Sequence, residues 1–425
     1  MGEKFTKRQV SRRDLLKLGS KGAALVAAGA LVPEVVSQIA GRFGSAGRAS
    51  AYGVVPQAAK LAPAYVGAPH QRRLAVTDGY IRLPGKDLYV FGFEDVPFAD
   101  PTASLDVHKG NTRAPAPLIW VDEGQDVVIK LTNLGFSVRP DLDDAHTIHW
   151  HGFRNAYTIF DGVPEVSIAV PVTRDFEYYY QPQDAGTYMY HCHFEDVEHV
   201  QMGMTGIIFV RPAQNGGLGL IPAGRYAYND RVLPSDPAST AYDREWALFL
   251  QDIWSLPHDN LASIQESKWT DYDPDYWVIN GRCYPDTLLP NNDPSLPAQP
   301  VTSLVQCNSG DRVLLRFANL GYQIHSMELA GIPVKIIGHD ANYLGRLPSG
   351  RANLITTANH FSVAPGESVD VIFTAPDVSS ETTFLLKNRN LDRLTNPGIS
   401  GLGGMATEVH VHPAGTLPVQ TEPNT

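Results

Sequence analysis

Apolar and polar residues alternate along short recurring segments of the chain, which is the period of a half-buried strand. No stretch sustains the period of a helix. One such strand, Val127-Val128-Ile129-Lys130-Leu131-Thr132, is entered from the turn Gly124-Gln125-Asp126 and left through Asn133-Leu134-Gly135. The same order recurs downstream as Gly310-Asp311, Arg312-Val313-Leu314-Leu315-Arg316-Phe317, then Asn319-Leu320-Gly321. A later strand, Thr187-Tyr188-Met189-Tyr190, repeats as Thr383-Phe384-Leu385-Leu386, and Gly203-Met204-Thr205 repeats as Gly404-Met405-Ala406. This internal repeat predicts an all-β chain of two antiparallel β-sandwich domains, 75–212 and 240–412, joined near Asn215-Gly216-Gly217. Residues 413–425 are expected to form a solvated, mobile tail.

The first fifty residues break the pattern. Ser11-Arg12-Arg13-Asp14-Leu15-Leu16-Lys17 reads as a twin-arginine signal, followed by an apolar run from Gly22 to Val32 that is too short to span a bilayer. Ala49-Ser50-Ala51 offers a cleavage site, so 1–51 is expected to be a signal peptide that exports the folded protein to the periplasm or cell exterior. No stable membrane span is expected. The signal carries nine Lys/Arg against three Asp/Glu, a net of +6, which leaves −17 for the rest of the −11 chain. That acidity argues against nucleic acid as a partner. Three cysteines exclude a disulfide scaffold, while a bridge between Cys283 and Cys307 and two free thiols are equally compatible with the sequence.

Six of the fourteen histidines fall in two tight groups, His146-Thr147-Ile148-His149-Trp150-His151-Gly152 and His191-Cys192-His193 with His199 and Met204. On a strand, residues two apart share a face and neighbours oppose one another. His149 and His151 therefore face one way and His146 the other; His191 and His193 share a face and Cys192 points away. If the two strands are neighbours, two donor sets form back to back. His146, Cys192, His199 and Met204 suit an electron-transfer copper of the blue type, since two imidazoles, a thiolate and a weak thioether favour it over zinc. His149, His151, His191 and His193 form an all-imidazole set suited to copper that meets oxygen. Cys192 joins the sets covalently, because its backbone runs directly into His191 and His193.

This constellation resembles the multicopper oxidases, in the motifs His146–Gly152, His191-Cys192-His193 with His199 and Met204, Asp161-Gly162-Val163-Pro164 and Gly186-Thr187-Tyr188. The resemblance implies two cupredoxin-like Greek-key domains of the laccase-like, two-domain branch, related to copper nitrite reductases, with the blue copper in the first. It implies type 1 copper on His146, Cys192, His199 and Met204, and half of a type 2/type 3 cluster on His149, His151, His191 and His193. Cys192, His191 and His193 would be the catalytic link. A phenolic, aromatic or metal-ion donor would lose single electrons near the exposed edge of His199, and dioxygen would be reduced to water at the imidazoles. Glu195, Asp196 and Glu198 hint at a cationic donor, either a small reducing substrate or a redox protein. A homotrimer is implied as well.

The repeat also shows where the match breaks. Glu328 and Ala330 stand at the positions of His149 and His151, and Lys387-Asn388-Arg389 at those of His191-Cys192-His193. Only His325 and Met405 survive, so the second domain is expected to carry no blue copper, and the cluster is half-built. Candidate replacements are His339, His360, His410 and His412, with His339 expected to be structural and the last pair solvent-facing. Two alternatives therefore stand beside the oxidase. One is a nitrite-reductase-like enzyme, disfavoured by His149 and His193. The other is a non-catalytic blue-copper electron carrier.

Overall fold

The computed structural model describes residues 70–154, 157–345 and 352–425, all within one compact unit, Leu61–Thr425. The twin-arginine signal read from 1–51 lies outside the described residues. Among the described residues no helix is long and apolar enough to cross a membrane.

The first sandwich contains β1 (His70–Leu83), β2 (Lys86–Val96), β3 (Ile119–Asp122), β4 (Val127–Asn133), β5 (His149–His151), β6 (Asp175–Tyr180), β7 (Gly186–His191) and β8 (Thr205–Arg211). One sheet runs β2-β1-β4-β6 and the other β3-β8-β7-β5. The second sandwich repeats the plan with β9 (Arg244–Ile253), β10 (Tyr276–Ile279), β11 (Val305–Asn308), β12 (Arg312–Asn319), β13 (His325–Leu329) and β14 (Val334–His339). It continues with β15 (Asn342–Tyr343), β16 (Thr356–Ala358), β17 (Phe361–Val363), β18 (Ser368–Thr374), β19 (Thr382–Asn388) and β20 (Ala406–His412). Its sheets run β10-β9-β12-β18-β14-β15, with β16 on β14, and β11-β20-β19-β13-β17. The sheets are mixed rather than purely antiparallel: β1 runs parallel to β4, β3 to β8, β9 to β12 and β11 to β20. Each of those pairs joins strands separated by a long crossover, which a hairpin cannot supply.

The repeated Asn-Leu-Gly turn has one physical cause in both copies. Asn133 Oδ1 accepts from the Gly135 N–H at 2.9 Å while its amide donates to the carbonyls of Val170 and Asp144. Asn319 does the same with Gly321 at 2.8 Å and with Val363 and Gln323. A side-chain amide thus closes the strand end and ties it to the next layer. Each sandwich buries its own core, around Trp150, Tyr178, Tyr190 and Ile208 in one and Trp246, Leu315, Phe317 and Phe373 in the other. A shared apolar seam of Met189, Ile207 and Phe209 against Ala247, Phe249 and Leu320 joins them.

Among the described residues two short α-helices interrupt the β pattern, α1 (Asp196–Met202) and α2 (Ser255–Ala262). The expected mobile tail is instead pinned. Asn424 Oδ1 accepts from the Ala247 N–H at 2.9 Å, its amide donates to the carbonyls of Ala247 and Thr302, and Gln420 Oε1 accepts from the Glu245 N–H at 2.7 Å. These two buried amides satisfy the open side of β9, a backbone edge that would otherwise lack partners.

Candidate metal centre

β5 lies beside β7 with His149 opposite His191 and His151 opposite Met189. That register brings the two histidine groups onto one pair of strands, and alternation then divides them between its faces.

On the inner face, Cys192 Sγ is 3.4 Å from His199 Nδ1 and 3.8 Å from His146 Nδ1, and all three residues are buried. The Thr147 N–H donates to the sulfur at 3.5 Å, and Thr147 Oγ1 accepts from the His193 N–H at 3.0 Å. Thr147 therefore holds both strands in place around the thiol, although nothing in the sequence pattern singled it out. α1 brings His199 inward. It is entered at Glu195 with φ 49° and left through Gly203 with φ 119°, where a Cβ would stand 2.8 Å from that of Ala114. Met204 is buried between the other donors: its carbonyl accepts from the Cys192 N–H and its N–H donates to the His199 carbonyl, both at 3.0 Å. Phe91 sits edge-on to His199 at 5.3 Å between centroids, and Phe136 lies 5.7 Å from His146. Burial in this apolar shell lowers both imidazoles, His199 to about 4, and pushes the Cys192 thiol up to about 11. Two imidazole nitrogens facing one buried sulfur, with buried Met204 next to them in the fold, fit the soft donor set of a type 1 copper.

One expectation fails here. His199 has no exposed edge: it is wholly buried, its Nε2 has no hydrogen-bond partner among the described residues, and Phe91 and Phe194 flank the ring. α1 turns the ring inward to reach Cys192, with exposed Glu195 and half-buried Glu198 standing within 4.8 Å of it.

On the other face, His149, His151 and His191 form a group of mutually close donors, and His193 stands 5.1 Å from His149 and 5.6 Å from His191 between ring centroids. The His149 Nδ1–H donates to the Asp161 carbonyl at 2.7 Å, and the His191 Nδ1–H donates to the Cys192 carbonyl at 2.8 Å. Each ring thereby keeps its Nε2 as an acceptor. His191 Nε2 faces His151 Nδ1 at 3.5 Å. Desolvation lowers His149 and His151 and takes His191 to about 3, so neutral nitrogens converge where a cation would be favoured. The Asp161 carbonyl is held in place by Gly162, at φ 77°, where any Cβ would fall 2.0 Å from the Ile148 oxygen.

The second sandwich reaches this face through residues the sequence did not mark. Gly366 packs on the His151 ring, and its backbone and the Asp340 charge both act on that imidazole. His339 pairs with Asp340 at 3.0 Å and faces Glu367 at 3.7 Å, while His360 is exposed. At the positions matching the first-domain ligands, Glu328 pairs with Lys387 at 3.5 Å and Arg389 at 3.8 Å. The pocket matching the thiol site is filled by hydrogen bonds instead. The His325 Nε2–H donates to Asp252 at 3.0 Å, and the Asn388 amide donates to His325 Nδ1 at 3.2 Å and to the Met405 sulfur at 3.3 Å. Cys283 and Cys307 are buried free thiols.

Residues 99–215 match the multicopper oxidase family. The chain is similar to Laccase-1 of Cryptococcus neoformans var. neoformans serotype D (strain B-3501A), at 24% identity over 68% of this chain and 42% of that protein. It thus spans less than half the length of that relative. Among solved structures it is similar to the blue copper oxidase from Nitrosomonas europaea, at 25% identity and a TM-score of 0.59, covering 81% of this chain and 86% of the other. The copper nitrite reductase of the same organism shares the fold, with a TM-score of 0.52 at 18% identity over 84% and 98% of the two chains. The matched stretch, residues 99–215, contains both donor sets of the first sandwich.

Proposed function

We propose that this chain is an exported, laccase-like copper oxidoreductase that takes single electrons from a reducing donor and uses dioxygen as acceptor, forming water. One observation carries this reading: Cys192 presents its thiol to one donor set while its two chain neighbours present imidazoles to the other. The backbone between them is a covalent path that no pair of separately placed sites would have.

The inner pocket would be held by His146, Cys192, His199 and Met204, and the outer by His149, His151, His191 and His193. Copper bound in them would supply one-electron exchange and the reduction of dioxygen. The chain's own residues set the conditions. Phe91, Phe136 and Phe194 exclude water from the thiol pocket. Asp161 and the Cys192 carbonyl hold the tautomers of His149 and His191. Because His199 is covered, a donor would meet Glu195 and Glu198 first, with Asp144 close enough to act on Glu198. That carboxylate surface favours a cationic donor, such as a metal ion, an aromatic amine or a basic redox protein. Export through the twin-arginine segment and assembly as a homotrimer complete the reading.

The test is a copper count and an oxygen-uptake assay with a phenolic donor on one sample. The expected result is an intensely blue protein with several coppers per chain and donor-dependent oxygen uptake. One copper and no uptake would establish the electron carrier instead, and nitrite-dependent electron consumption the reductase. Cys192→Ser should abolish the colour and donor oxidation while the β-fold persists.

A further inference from the structure

The segment between β9 and β10, together with the turn after β12, lays four aromatic rings in a row against α1. Trp269 and Trp254 stand 6.1 Å apart between centroids, Trp254 and Tyr272 5.9 Å, and Tyr272 and Tyr322 5.2 Å. Trp254 is buried, while Trp269, Tyr272 and Tyr322 are half-buried. The row meets α1 twice. The Tyr322 hydroxyl donates to the Val197 carbonyl, and the Gln201 amide donates to the Tyr272 hydroxyl at 3.5 Å. His199 lies midway between Val197 and Gln201, so only the thickness of one helix, about 10–12 Å with its side chains, separates the row from the inner donor set.

Within the row, Tyr272 is set apart by its proton. Its hydroxyl donates to the Asp252 carboxylate. The same carboxylate accepts from the Tyr322 and Gln323 N–H groups at 3.0 and 3.1 Å and from the His325 Nε2–H at 3.0 Å. Burial opposes the Asp252 charge, but the donors from His325, Tyr272 and Tyr322 outweigh it and hold the carboxyl below its ordinary value. Burial and the Asp252 charge push the Tyr272 phenol up. At rest the proton therefore stays on Tyr272.

We propose that Trp269, Trp254 and Tyr272 form a one-electron relay from the surface to the inner pocket, with Asp252 as proton acceptor for Tyr272; the inference rests on the reading of that pocket as a copper site. The electron that reduces copper(II) to copper(I) leaves Tyr272. Its phenolic proton crosses to Asp252 along the hydrogen bond already in place, because an oxidised phenol is a strong acid. Trp254 then returns an electron to the phenoxyl ring and the proton moves back. Trp269 restores Trp254, and the external donor restores Trp269. The sum is one electron lost by the donor and one gained by copper, with no net proton transfer. Such a relay answers the burial of His199, which leaves a donor no direct contact with that ring. Trp269 stands between the exposed Glu266 and Asp271, so a cationic donor is favoured at this end as well.

The experiment attaches a ruthenium photo-oxidant to Lys268→Cys, an exposed position next to Trp269, in the full-length chain. The three native thiols are buried, which directs the label to the new one. In the metal-free protein a flash draws one electron from Trp269, and the vacancy is expected to settle as a neutral tyrosyl radical, read by electron spin resonance. Tyr272→Phe should leave an indole radical in its place. A tyrosyl signal that survives Tyr272→Phe, or none in the parent, would overturn the proposal. In the copper(I)-loaded protein the same flash is expected to raise the blue band, with loss of the fast phase in both Tyr272→Phe and Trp254→Phe. An unchanged rise in the two variants would overturn it as well. Trp269→Phe breaks the row at its half-buried end if Trp254→Phe fails to fold. The metal-free arm reads the relay without copper, so failure of the copper assignment is told apart from failure of the relay.

Discussion

Burial sets the protonation of the enclosed imidazoles. Desolvation takes His191 to about 3, His199 to about 4 and His258 to about 4, and lowers His146 as well. Each of these imidazoles is neutral in the fold but binds a proton near pH 6.5 once the chain unfolds. The unfolded state therefore holds more protons between roughly pH 4 and 6.5, and stability rises with pH across that window. The metal-free chain is expected to lose stability steadily as pH falls from 6.5 to 4, on the order of 3 kcal/mol for each of His191, His199 and His258. Thermal melts across that range check it, and a flat profile would mean that the rings are solvated. The donor residues themselves were legible in the sequence, since strand alternation alone separates Cys192 from His191 and His193. Thr147 and Phe91 were not, because a hydroxyl and a ring that support a site through contacts across the sheet leave no spacing signal.

Among the elements, the strands announced themselves and α1 did not. At seven residues it is too short to show a period, and it appears in the sequence only as the gap between His193 and Met204. Yet it decides where His199 points and what covers it. The second sandwich clamps this helix from outside. Gln201 is buried; its Oε1 accepts from the Trp254 N–H at 2.7 Å, and its amide donates to the Asp252 carbonyl at 3.2 Å. The Tyr322 hydroxyl donates to the Val197 carbonyl as well. Gln201→Ala would strip partners from two backbone groups in an enclosed position, which costs about 1–3 kcal/mol. The expected outcome is a denaturation midpoint lowered by that amount, with a shift in the visible absorption of the copper-loaded protein as His199 moves. A stability loss without any spectral change would show that α1 keeps its place unaided.

At the scale of the whole molecule, the repeat foretold two sandwiches and the erasure of ligands from the second. It named the residues standing in their places, Asn388 among them, but not how they bond, because Asp252 and Asn388 are unremarkable until the sheets bring them to His325. The replacement gave the second sandwich a scaffold role, seen most clearly at the buried ion network behind β7. Arg316 is fully enclosed, donates to Glu245 at 2.9 Å and to Asp370 at 3.3 Å, and lies over the Phe209 ring at 4.6 Å. Asp370 also accepts from the Thr187 hydroxyl at 2.6 Å and from the Tyr228 hydroxyl at 2.5 Å. Thr187 stands near the start of the strand that ends in His191, so the network anchors the base of the metal-bearing strand. Removing one partner from such a network leaves a charge uncompensated in an enclosed position, which costs about 3–5 kcal/mol. Asp370→Ala is therefore expected to destabilise the chain by that amount in denaturant unfolding. Glu328→Ala breaks the half-exposed pairs with Lys387 and Arg389 at the erased cluster positions and should change stability by less than about 1 kcal/mol. Equal effects from the two variants would mean that the domain contact rests on its apolar seam alone, and that the buried ions contribute nothing to holding β7 in place.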